Sequence, residues 1–352
     1  MKQKYAIVLY LFLFSYTLQA QEVLHTVFLI GDAGKDTIPG PTLLLLQKEL
    51  KNNPSGSVIV LGDNIYPQGF DRDKLSEKRL LSQLNVMRDY KGNIFFVPGN
   101  HDWKAGKWEG MKCLKREENF VDDFVKTQAK TIGGLFPKDG LPGPYTTLIA
   151  ANLRLVCVDT HWWLHSQFFH RVGKLKGKNK RQTSKIFFHK LDSILEQSKN
   201  KGEEVLLVAH HPLISGGVHS LQLEPLRFLI NYTPLQVLGL LGANRLFTQG
   251  MRQPRYNRMK KKMLNSISKY DHVIYACGHE HNIQYYKREK HLFIISGSGS
   301  KLSKMQKKRE GLIYSNDTQN GFIKMEFLKN KSVRISVLYP DTPEKIIDDV
   351  AQ

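Results

Sequence analysis

Five short apolar runs, each stopping at a Gly, Asp, Asn or His, constrain this chain more than any other feature. They are Thr26–Ile30 before Gly31-Asp32, Val58–Leu61 before Gly62-Asp63, Ile94–Val97 before Pro98-Gly99-Asn100-His101, Val205–Ala209 before His210-His211, and His272–Ala276 before Cys277-Gly278-His279. Runs of this length without polar alternation predict strands buried on both faces. Helical patterns lie among them at Leu43–Lys51, Lys74–Tyr90, Lys185–Lys199 and Arg258–Tyr270. Strands alternating with helices indicate an α/β fold. Other strands read as antiparallel. Tyr145–Ala150 and Leu153–Asp159 flank Ala151-Asn152 as a hairpin, and Leu292–Ser296, Gly321–Leu328 and Val333–Leu338 form a late β-rich section. With no internal repeat and no Pro-rich linker, 21–352 reads as one domain, either a mixed sheet or two packed sheets with helices outside.

A chain of 352 residues, 41% hydrophobic, can bury a core large enough to need no covalent staple. The three cysteines agree. Cys113, Cys157 and Cys277 have no metal-type spacing, and the last two sit in strand-like runs, so core thiols rather than a disulfide framework are expected.

The N-terminus reads as an export signal over residues 1–20. Lys2 and Lys4 precede an apolar run, Tyr5–Phe14, and Leu18-Gln19-Ala20 stands before the expected cleavage, although Leu18 is larger than usual there. The run is short for a bilayer, and no later segment is long and apolar enough to cross one. A periplasmic or secreted location follows. A buried first strand is the alternative reading.

Charge is the other outlying property. Lys and Arg number 52 against 32 Asp and Glu, a net +20, which would become +18 if Lys2 and Lys4 left with the signal. The excess is clustered: seven basic residues and no acid in Arg171–Lys185, six in Arg252–Lys262, five in Lys301–Arg309. Solvated loops would account for these runs. A positive rim around an anion-binding mouth is the functional alternative.

Polar residues outside the carboxyl ends of buried strands are where α/β folds place their sites. Here five strand ends each carry potential metal ligands: Asp32; Asp63 with Tyr66; Asn100 with His101; His210; and His279 with His281. Singly these are weak. A strand-terminal Gly-Asp is ordinarily a turn, and a lone His ordinarily structural. Gly278-His279-Glu280-His281 is stronger, because alternate residues of an extended segment face the same way. Five such ends together are hard to explain as five separate turns. Oxygen and imidazole donors without thiolate suit Fe, Mn or Zn.

In this order, Asp…Gly-Asp-Asn…Gly-Asn-His-Asp…His-x-Pro…Gly-His-x-His resembles the calcineurin-like metallophosphoesterases, with every motif present from Asp32 to His281. The resemblance implies a four-layer αββα sandwich of two mixed sheets. Most members open with Asp-x-His; here Gly34 holds that His position, and Tyr66 stands three residues after Asp63. Purple acid phosphatases make the same replacement, and the Gly-Asp-Asn-Ile-Tyr stretch is similar to their small tartrate-resistant type. That likeness implies a binuclear centre of Fe³⁺ with Fe²⁺, Zn²⁺ or Mn²⁺. Asp32, Tyr66 and His281 would hold the ferric ion; Asn100, His210 and His279 the divalent ion; Asp63 would bridge. A metal-bound hydroxide would attack the phosphorus.

The resemblance also gives His101 a substrate-facing role, binding phosphate or protonating the leaving group, and makes Asn100 a substrate contact too. His219, nine residues after His210, matches a second substrate-facing His, and His211 holds a position near substrate. Asp102 would orient His101 or cap the following segment. His161-Trp162-Trp163-Leu164-His165 could line the substrate mouth or simply pack, and Gly297-Ser298-Gly299-Ser300 could present amides to an anion.

The resulting expectation is an exported binuclear-metal phosphoesterase acting on phosphomonoesters in the manner of an acid phosphatase. A phosphodiester, nucleotide or phospholipid hydrolase with the same metals is the nearest alternative. From another class comes a non-catalytic polyanion binder on a degenerate phosphatase fold. A phosphorylated small molecule is the expected partner; a larger polyanion is possible through the basic runs, and no stable nucleic-acid partner is expected.

Overall fold

A computed structural model describes residues 22–128, 132–165, 172–218 and 254–351. The expected signal at residues 1–20 and His219 lie outside the described residues.

Two seven-stranded mixed sheets pack face to face with helices outside. The first half of the chain runs β1 (Val23–Ile30), α1 (Pro41–Asn52), β2 (Ser57–Val60), α2 (Lys74–Val86), β3 (Asn93–Phe96), α3 (Gly110–Thr127) and β4 (Gly133–Leu135). It continues through β5 (Tyr145–Ala150), β6 (Leu153–Cys157), a short α4 (His161–Leu164), α5 (Lys180–Lys201) and β7 (Glu204–Val208). A helix at Pro254–Ile267, here α6, leads to β8 (Val273–Cys277), β9 (Ile283–Arg288), β10 (His291–Ser296), β11 (Leu312–Asn316), β12 (Phe322–Leu328), β13 (Ser332–Leu338) and β14 (Lys345–Ala351).

The first sheet has the order β14-β13-β12-β1-β2-β3-β4, the second β11-β9-β10-β8-β7-β6-β5. Three apolar layers hold them. Val27, Leu29, Ile59 and Phe95 meet Leu155, Val208, Ile274 and Ile294 between the sheets. Leu43, Leu46, Leu80, Leu84, Leu114 and Val121 cover the outer face of the first sheet, and Phe187, Leu191, Met259 and Met263 cover that of the second. This is the expected αββα sandwich. Its central strands carry the continuous apolar runs because both of their faces are buried.

Helix ends follow local chemistry. Asp73 caps α2 by accepting from the Ser76 amide at 2.6 Å. Asn179 and Gln182 form a reciprocal capping box, so α5 starts before the expected Lys185, and Gly202 ends it at φ 66°. The basic stretch Lys180–Lys185 is therefore helical rather than loop, as is 254–262 in α6. A second difference is strand direction. The sequence suggests antiparallel pairing for β6 and β10, yet β6 also runs parallel to β7, and β10 parallel to β8. The three cysteines are free and buried, as expected. Among the described residues, no helix is long and apolar enough to cross a membrane.

Candidate metal centre

β1, β2 and β3 are mutually parallel in one sheet, and β7 and β8 in the other, so their carboxyl ends open on one side of the sandwich. Each end turns sharply. Asp32, Asp63 and His279 all adopt left-handed backbone (φ 57°, 54° and 70°), which costs a non-glycine residue about 1–3 kcal/mol. The turn reading of Gly-Asp and the site reading are therefore compatible: the strained turn aims the carboxylate inward. A backbone bond ties the two sheets together beneath, Gly31 N–H to Ser296 O at 2.7 Å, and within the second sheet Gly278 N–H to His210 O at 3.1 Å ties the ends of β8 and β7.

Two sets of donor atoms converge. Asn100 Oδ1 lies 3.1 Å from His210 Nε2 and 3.0 Å from His279 Nδ1, with those two nitrogens 3.2 Å apart. Tyr66 Oη lies 2.7 Å from Asp32 Oδ1 and 3.1 Å from His281 Nε2, which is 3.5 Å from Asp32 Oδ1. Asp63 bears on both, since its Oδ1 is 3.4 Å from His210 Nε2 and its carboxylate adjoins the Tyr66 phenol. Bonds of about 2.1 Å at right angles would set neighbouring donors about 3 Å apart, so each set has the spacing a metal ion requires. Asp32, Asp63 and His210 alone bring one ligand atom each within 4.8 Å of the others, all buried. A binuclear group fits these residues.

The surroundings tune the donors. His210 Nδ1 donates to the Leu61 carbonyl at 2.8 Å, which leaves Nε2 with its lone pair toward the centre. Burial would lower its pKa, but the Asp63 carboxylate outweighs burial and lifts it to about 9. Burial would raise Asp63, yet the charges of His210 and His101 hold it well below the usual carboxylate range. Burial, then Asp32 and Asp63, pushes the Tyr66 phenol well above its ordinary value. Lys301 Nζ stands 4.1 Å over the Tyr66 ring.

His101 Nδ1 is 2.6 Å from the Pro67 carbonyl. A carbonyl only accepts, so Nδ1 carries a proton and Nε2, 3.8 Å from Asp63 Oδ2, faces the centre. Asp102 neither orients His101 nor caps a segment. It points inward, accepting from the amides of Gly99 (2.7 Å), Asn64 (2.9 Å) and Ile65 (3.1 Å), and so clamps the second and third motif loops together. Burial, with Asp63 beside it, pushes Asp102 up to about 7.

His211 is fully buried, its Nδ1 2.8 Å from Thr160 Oγ1 and its ring 4.5 Å from that of His279. His161 stacks on His211 at 5.9 Å, while Trp162 has no exposure, so this segment is mainly wall rather than mouth. The glycine–serine stretch braces Asp32 from behind: Ser300 Oγ donates to Asp32 O at 2.6 Å, and Gly299 N–H to Gly31 O at 3.0 Å.

Sequence reasoning missed Glu117. It is buried on α3 and accepts from Asn64 Nδ2 at 2.8 Å, anchoring the loop that carries Asp63. The signal existed, since Leu114, Glu117, Val121 and Val125 recur at helical spacing, but a carboxylate on the core face obscured the apolar stripe. Pro67 and Leu61 act through their carbonyls, which no residue type could announce.

Gly34 and Tyr66 are tied sterically. A Cβ added there would lie 2.1 Å from the Asn64 carbonyl oxygen, because the Tyr66 loop packs directly on Gly34, with Tyr66 N–H donating to Gly34 O at 2.9 Å. No side chain at position 34 can coexist with Tyr66 in its present place. Gly34→Ala is expected to displace the loop, costing about 1–3 kcal/mol in denaturant unfolding and lowering metal content by elemental analysis. Unchanged stability and full metal content would contradict this packing.

No curated protein sequence matches the chain. Solved structures do. GAP50, described as the anchor in the inner membrane complex of Plasmodium, is 16% identical with a TM-score of 0.56, over 94% of this chain and 89% of that one. PhoD is 11% identical with a TM-score of 0.56, over 93% of this chain and 69% of that one. At these identities the likeness extends to the fold alone. The sequence profile of calcineurin-like phosphoesterases matches residues 25–283, which include every convergent donor above. The chain belongs to the calcineurin-like phosphoesterase family, metal-dependent hydrolases of phosphoesters.

Proposed function

We propose that the protein is an exported phosphatase of the purple acid type, hydrolysing phosphomonoesters at a binuclear centre. Asp32, Tyr66 and His281 would hold Fe³⁺, Asn100, His210 and His279 would hold Fe²⁺, Zn²⁺ or Mn²⁺, and Asp63 would serve both. The observation that carries the reading is Tyr66. Its phenol lies against Asp32 and His281, and its loop occupies the space a side chain at Gly34 would need. When bound, the metals would supply Lewis-acid activation of water and of the phosphoryl oxygens.

The chain's own groups do the rest. Asp63 keeps its negative charge in a buried place because His210 and His101 adjoin it. Leu61 holds the His210 ring in one tautomer. His101, a fifth exposed and tethered to Pro67 through Nδ1, presents Nε2 where it can bind the phosphoryl group or give a proton to the leaving oxygen. Removal of residues 1–20 on export to a periplasm or medium belongs to the same proposal.

The test is initial rates on a chromogenic phosphomonoester and its diester analogue, using protein loaded with iron and a divalent metal. The monoester should be the faster substrate. A ferric–phenolate charge-transfer band should appear in the visible spectrum and vanish in Tyr66→Phe. Diester preference, or a band that survives the substitution, would sink the proposal.

A further inference from the structure

α5 and α6 lie side by side on the outer face of the second sheet, and at one end they enclose a cavity of about 470 Å³. Lys180, Arg181 and Lys185 line it from α5; Arg255, Arg258 and Lys262 line it from α6; Trp162 and Trp163 of α4 form its floor. Arg255, Arg258 and Lys262 are spaced i, i+3, i+7, so one stripe of α6 faces the stripe of α5. Among the described residues, no carboxylate lines the cavity. The other end of the same helix pair is closed conventionally, by Lys269 on Asp192 at 2.6 Å.

Six cations facing one another repel, and adjacent helices ordinarily avoid this by pairing opposite charges. Lys180 sharpens the point. Its ammonium is buried and has no hydrogen-bond partner among the described residues; the Trp162 ring lies 4.8 Å away, and the buried Asp159 carboxylate acts on it only through its charge. An ammonium has three protons to donate, and leaving them unmet in a buried place is costly. Burial, and then the charge of Arg255, pushes the Lys180 pKa down to about 8. An anion with several acceptor oxygens would satisfy the ammonium and relieve the repulsion together, and guanidinium groups match phosphate oxygens in pairs.

We propose that this cavity is a binding site for the phosphate groups of a multiply phosphorylated small molecule. The volume is that of a small-ligand pocket rather than a track for a polymer. Trp162 is fully buried and Trp163 Nε1 is held by Ser184 Oγ at 3.0 Å, so neither offers an open ledge for successive bases. The site adjoins the candidate metal centre through α4, where His161 stacks on His211 immediately before Trp162 begins the cavity floor. One molecule with phosphates far enough apart, or two separate ligands, could occupy both.

Titration calorimetry on the metal-loaded protein with inorganic tripolyphosphate, orthophosphate and a single-stranded oligonucleotide tests this. Tripolyphosphate should bind most tightly, with affinity falling as salt rises. The double variant Arg258→Glu/Lys262→Glu reverses two charges on the α6 stripe, and Lys180→Met keeps the apolar stem over Trp162. Each should weaken tripolyphosphate binding by about tenfold or more, the size of one lost charge-assisted contact. Affinity within about twofold of wild type in both variants, or tighter binding of the oligonucleotide, would overturn the assignment. Because binding is read without turnover, failure here leaves the phosphatase proposal standing. Absent turnover with intact tripolyphosphate binding removes that proposal and leaves this one.

Discussion

An Asp63→Asn protein loaded with iron and a divalent metal is expected to hydrolyse a chromogenic phosphomonoester at least about 10³-fold more slowly than wild type. The substituted side chain would keep an oxygen to accept the His101 amide, which lies 2.9 Å from Asp63 Oδ1, so the turn should survive. What the variant loses is charge at the point both donor sets share. With both metals bound, the centre would hold two cations with one anion fewer. Elemental analysis should find less than a full pair of metals, while thermal unfolding stays near wild type. Full activity in this variant would remove the metal-dependent assignment itself, not merely its substrate.

His101→Ala should cost about 10²–10⁴-fold on an alkyl phosphomonoester, and clearly less on an aryl one whose phenolate departs unaided. The split matters because it separates a proton donor from a mere phosphate contact, whose loss would slow both substrates alike. The geometry predicts the donor. Nδ1 is committed to Pro67 O at 2.6 Å, so Nε2 is the nitrogen free to exchange a proton facing Asp63. The ring is 21% exposed and packs at 4.5 Å on Tyr66, so its removal should leave the fold intact. Equal losses on both leaving groups would reduce His101 to a binding role.

The central strands were legible because β2, β8 and β10 are buried along their whole length, and burial on both faces leaves no choice but an apolar run. The edges were not. β14 is mostly exposed and carries Asp348 and Asp349, β11 alternates with partial burial, and β4 is three residues of which two are glycine. An edge strand answers to one neighbour and to solvent, so its sequence is weakly constrained. α3 was missed for a different reason, since Glu117 and Glu118 occupy core-facing positions where a pattern of apolar residues was sought.

The same division runs through the site. Asp32, Asp63, Tyr66, Asn100, His101, His210, His279 and His281 announced themselves because strand ends concentrate chemistry and because few side chains can serve as donors. The sequence, its strand pattern completed by the family resemblance of its motifs, thus determined the αββα class and the identity of the converging groups. Only the tertiary structure decided how they are held: Asp102 as a clamp rather than an orienter, Glu117 beneath Asn64, Pro67 behind His101, Tyr66 in the space that bars any side chain at Gly34, and two basic runs brought face to face across α5 and α6. These rest on backbone carbonyls, on close approach and on contacts between residues distant in sequence, none of which leaves a mark in the residue types themselves.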